Sequence, residues 1–68
     1  MTISLGPMKM NKELGNRIKT IRENASLTQN EVAEHLGISK EKFAGIELGI
    51  FLPTLAILNQ LAKLFNVS

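Results

Sequence analysis

"LTQNEVAEHLGISKEKFAGIELG", residues 27 to 49, decides the fold. Two short segments of helical character flank a glycine, Gly37. Thr28 and Glu31 stand three apart, the spacing at which a threonine hydroxyl and a glutamate carboxylate cap a helix start reciprocally. A helix from Gln29 to Leu36 follows, with Val32, Ala33 and Leu36 on its inward side. Gly37 sits where a left-handed residue ends a helix. Ser39 then caps a second segment whose Phe43 and Ile46, three apart, form its buried side. Gly49 marks the close.

The rest of the chain extends this pattern on both sides. Upstream, "MNKELGNRIKTIREN" carries Leu14, Ile18 and Ile21 at helical spacing, with Met10 one turn earlier. Downstream, Pro53-Thr54 opens "LAILNQLAKLFN", with Leu55, Leu58, Leu61, Ala62 and Phe65 on one stripe and Asn66 at the stop. Ile57 and Leu64 fall off that stripe, free for something else to pack on. Residues 1–10 read as a flexible lead broken by Gly6-Pro7, and residues 11–68 as one domain. No segment alternates as a strand does, and no repeat or low-complexity tract appears. The expectation is an all-α, compact bundle of four short helices.

Composition narrows the functional classes. A 68-residue chain buries only about 60% of its unfolded surface, and 44% hydrophobic residues suffice for one core. The absence of cysteine excludes disulfides and thiolate metal sites. One histidine, His35, with no aspartate, cysteine or tyrosine in the chain, leaves no parts for a catalytic constellation or a histidine metal site. We expect no enzyme, no cofactor and no metal. No apolar run approaches the ~18 residues of a membrane span, and no secretory signal opens the chain, so the expected compartment is the cytoplasm. A net charge of +2 permits a polyanionic partner without requiring one.

Two helices joined by a turn of about three residues with a glycine make a helix-turn-helix. Ala33 is small enough for a second helix to cross close over it. Phe43 and Ile46 anchor the later helix and leave its opposite flank outward, a shape that fits a major groove about 12 Å wide.

From Leu14 to Ser68 the chain resembles the DNA-binding domain of the lambda repressor and Cro-like (XRE) family. The resemblance is carried by "LGNRIKTIRENASLTQNEVAEHLGIS", "IELG" and "PTLAILNQLAKLFNVS". It implies a sequence-specific, repressor-like regulator of bacterial or phage origin, bound as a homodimer to a double-stranded operator. It implies that Gln29 touches a phosphate and that Ser39, Lys40, Glu41 and Lys42 lead the recognition helix. Lys40 would then donate to guanine and Glu41 accept from cytosine, with Lys40 and Lys42 also able to meet phosphate. Arg17 is a further candidate on the first helix. The resemblance also implies a partly buried ion pair between Arg22 and Glu47.

Three departures stand out. Gly45 lies inside the recognition helix, where the family carries a larger, often polar residue, and Ala44 beside it offers at most a methyl contact to thymine. Leu48, Ile50, Phe51 and Leu52 replace the polar or basic loop that meets the sugar-phosphate backbone. They suit a satellite core folded onto the fourth helix, a dimer seam, or a surface for another protein after loss of DNA binding. The family also continues into a fifth helix past the position of Ser68, so an additional C-terminal domain or partner is a further expectation.

Overall fold

The computed structural model describes residues 6–66 and contains four helices: α1 (Gly6–Asn24), α2 (Gln29–Leu36), α3 (Lys40–Leu48) and α4 (Leu55–Phe65). No strand occurs among the described residues. The all-α expectation holds, and so does the place of each helix from α2 onward.

The start of α1 differs from expectation. The irregular lead was to reach residue 10, yet the helix begins at Gly6. Pro7 falls in the first turn, where a missing N–H breaks no intrahelical bond and the fixed φ suits the helix. Residues 1–5 and the side chain of Met10 lie outside the described residues. The buried line of α1 is also rotated. It runs Gly15, Ile18 and Arg22, with Leu14 and Ile21 half-buried at its margins. Gly15 sets this register. A Cβ there would overlap the backbone carbonyls of Ile46 and Glu47, so α1 and α3 cross backbone to backbone.

The ends of the helices follow their caps. Thr28 Oγ1 accepts from the Glu31 N–H at 3.0 Å, and Glu31 Oε1 accepts from the Thr28 N–H at 2.8 Å. Ser39 and Thr54 cap α3 and α4 from one side only, each hydroxyl accepting from an N–H three residues on. Gly37, Gly49 and Asn66 all adopt the left-handed conformation and close α2, α3 and α4. Each threonine or serine cap contributes about 1 kcal/mol, a large share of what a domain this small holds in reserve.

The core gathers Ile18, Val32, Ala33, Leu36, Phe43, Ile46 and Leu61. Phe43, Ile46 and Val32 are its fully enclosed members. α4 departs from the expected stripe. Leu55 was assigned inward but is 73% exposed. Ile57 and Leu64, assigned to the spare side, instead pack on the core with Phe65. The helix is turned so that Leu58 and Ala62 face α1 across an open apolar cleft of about 130 Å³, lined also by Leu14, Ile18 and Ile21.

Candidate nucleic-acid interface

α3 is held from beneath and free above. Phe43 and Ile46 are enclosed, while Lys40, Glu41 and Lys42 are exposed. The Ser39 hydroxyl accepts from the Lys42 N–H at 3.0 Å, which fixes the first turn and commits that oxygen to the helix. Two cations and one carboxylate therefore stand on a rigid, capped helix end.

A charged clamp holds the other end of α3. Arg22 Nε donates to Glu47 Oε2 at 2.6 Å, and Arg22 Nη2 donates to Glu47 Oε1 at 3.3 Å. Arg22 Nη1 donates to the Leu27 carbonyl at 2.8 Å. The side chains are 10% and 2% exposed, so the pair is buried and held by charge-assisted bonds. The hydrogen bond to Glu47 raises the Arg22 pKa above the ordinary arginine value, against the opposing effect of burial; the charges of Glu47 and Glu23 add to it. A raised cation pKa stabilises the fold below the unfolded value and ceases to do so only as pH climbs through the folded one. Both lie far on the alkaline side, so the arginine end of the clamp does not titrate near neutrality. The clamp joins α1 to the last turn of α3 and to the residue before the α2 cap. It therefore fixes the helix-turn-helix against α1.

Gln29 belongs to this clamp as well. Its Nε2 donates to Glu47 Oε1 at 2.8 Å. The resemblance assigns this side chain to phosphate; the fold adds a contact that sequence reasoning missed. No spacing rule links residues 29 and 47. Arg17 stands apart from the α3 residues, exposed at the rim of the α1–α4 cleft.

The loop after α3 behaves in two ways. Leu48, Ile50 and Leu52 are 63%, 68% and 64% exposed, which rules out the satellite-core reading for these three. Phe51 does fold down, and it does so onto α3. Its ring lies where a Cβ on Gly45 would be. The Gly45 carbonyl accepts from the N–H groups of Ile50 at 2.8 Å and Phe51 at 3.3 Å, bending the loop back over the helix. Lys42 Nζ stands 5.1 Å from the ring centroid. The glycine that looked like a defect in α3 is the seat of an aromatic ring.

Among the described residues, no three metal-ligating side chains gather, and no helix is long and apolar enough to cross a membrane. His35 is exposed on α2.

Residues 15–68 match the family model for a helix-turn-helix domain. Over 56 residues the chain is 39% identical to the ImmF control region 10 kDa protein of Bacillus phage phi105, covering 82% of this chain and 62% of that one. Over 52 residues it is 36% identical to an uncharacterised HTH-type transcriptional regulator of Methanocaldococcus jannaschii, covering 76% and 79%. A similar regulator of Archaeoglobus fulgidus is 34% identical over 50 residues, covering 74% and 70%. The chain thus spans less than two thirds of the phage protein's length.

Proposed function

This chain belongs to the helix-turn-helix domain family, and on that footing we propose that it is a DNA-binding transcription regulator of the lambda repressor and Cro-like kind. α3 enters the major groove with Lys40, Glu41 and Lys42 toward the bases and phosphates, while Ser39 and Gln29 lie at the groove's edge. Arg17 is the most peripheral of the proposed contacts. The role is non-enzymatic, needs no cofactor or metal, and is exercised in the cytoplasm. The observation that carries the reading is the exposed, capped start of α3 on a helix whose last turn is tied down by the Arg22–Glu47–Gln29 clamp. A clamp of this kind fixes the angle of one short helix, and a fixed, outward helix is what groove reading requires.

The regulator acts as a homodimer. Leu48, Ile50 and Leu52 supply an apolar seam beside α3, and two reading helices then sit about 34 Å apart on a near-palindromic site. Occlusion of polymerase, as a repressor, is the simplest outcome of such binding. Relatives named as regulators support the assignment. Selection of bound duplexes from a random pool tests it directly. The expected result is a near-palindromic site whose affinity falls steeply with salt; recovery of unenriched sequence would refute it.

A second reading draws on the same exposed cluster: a protein-interaction module that has given up DNA. Retention on immobilised heparin separates the two. A DNA binder elutes progressively with salt, whereas a protein binder passes through and associates through Ile50 and its neighbours.

A further inference from the structure

Phe51 differs from the other apolar residues of its loop. Leu48, Ile50 and Leu52 each expose more than six tenths of their surface, whereas Phe51 exposes 42%. The difference is the seat on Gly45. That glycine is buried although it has no side chain, because the ring covers it. The two backbone bonds into the Gly45 carbonyl hold the loop in this position, and the ammonium of Lys42 lies over the ring.

The position of the seat matters. Glu41 and Lys42 precede Gly45 by four and three residues, so the three share one face of α3. The ring therefore forms the next group on that face, one turn beyond the two charges, although it arrives from the loop. Half of it is spent on the helix and half is presented outward. A phenyl group has no hydrogen-bonding atoms. On the floor of a major groove it can distinguish bases through one feature, the C5-methyl of thymine.

Resting on the major-groove reading above, we infer that Phe51 is a specificity-determining side chain supplied to α3 from the loop that follows it: it replaces the reader that Gly45 cannot supply, and it recognises a thymine methyl. Gly45 and Phe51 thus form one functional unit. The glycine is needed for the ring to lie close, and the ring gives the later part of α3 a contact that Ala44 and Gly45 cannot make.

The test uses the full chain and a duplex it selects. Each thymine is replaced singly by uracil, which removes the methyl and leaves the pairing intact. Affinities are measured for the unaltered protein, Phe51→Ala, Phe51→Leu and Gly45→Ala, with thermal melting of each to establish folding. At one thymine per half-site, uracil should weaken the unaltered protein about fourfold, the worth of one methyl-sized group withdrawn from apolar contact. That loss should vanish in Phe51→Ala and in Gly45→Ala, whose new methyl displaces the ring, while responses at other thymines persist. Phe51→Leu keeps apolar bulk and settles the matter if the alanine variant does not fold; it should shrink the loss at the same thymine. Identical uracil profiles for all four proteins would overturn the inference and leave DNA binding standing. So would a Phe51→Ala variant that alters only sedimentation, since the ring would then belong to a subunit seam. Failure of the unaltered protein to select any duplex would overturn the premise as well.

Discussion

A Gln29→Ala substitution removes a hydrogen bond to a buried carboxylate. Bonds to charged groups contribute about 1.5–3 kcal/mol, discounted here because Gln29 is only half-buried, so a loss of roughly 1 kcal/mol is the expected scale. In a domain of this size that lowers Tm by about 4–8 °C, readable by circular dichroism. The family resemblance alone implies weaker DNA binding with unchanged stability, so the melting curve separates the two roles. Lys40→Ala is the contrasting case. Its side chain is exposed and makes no hydrogen bond or ion pair among the described residues, so Tm should hold while operator affinity falls. If Lys40 meets phosphate, the slope of log affinity against log salt should also shrink by about one; an unchanged affinity would remove it from the interface. At this scale the sequence is legible where a residue's role depends on its neighbours in the chain. Thr28, Ser39, Gly37 and Gly49 were all readable as caps. Gln29 and Phe51 were not, because their partners are 18 and 6 residues away and are chosen by tertiary packing.

α3 is the element on which function depends, and a buried ion pair holds its last turn beside the apolar anchors Phe43 and Ile46. Glu47→Ala would leave Arg22 buried without its carboxylate, at a cost of about 3 kcal/mol or more. A 68-residue domain has only about 3–10 kcal/mol in total, so the variant should lose roughly 12–24 °C of Tm by circular dichroism. The paired replacement Arg22→Met with Glu47→Leu removes both charges and should recover much of that loss. Recovery of stability without recovery of DNA affinity would mean that the clamp sets the helix angle as well as the fold. The ion pair and its partial burial were anticipated through the family resemblance; its third member, Gln29, was not. α4 was located correctly, and Leu61 and Phe65 of its expected stripe do meet the core, but Leu55 does not. Leu55 fits the apolar stripe of an isolated helix, yet the stripe is wide, and the choice of inward side belongs to the helices it meets. Ile57 and Leu64 join Leu61 and Phe65 on that side in place of Leu55.

For the whole molecule, the exposed loop governs association. Replacing Ile50 and Leu52 together by serine should lower any dimer fraction in sedimentation velocity while leaving Tm within a few degrees, because neither residue is buried in the protomer. A large fall in Tm at unchanged sedimentation would show that the patch serves the monomer. The overall architecture was legible because helical spacing, caps and turn glycines all agree along the chain. The crossing of α1 over α3 was less so, since a mid-helix glycine announces a close approach without saying to what. That crossing has a consequence for genetics. Gly15 has no room for even a methyl against the carbonyls of Ile46 and Glu47. A saturation screen scored by reporter expression would therefore group Gly15 alleles with those of Lys40, as equally inactive. Only Gly15 variants should be digested quickly by protease, betraying a collapsed scaffold where the Lys40 alleles hide an intact but deaf one.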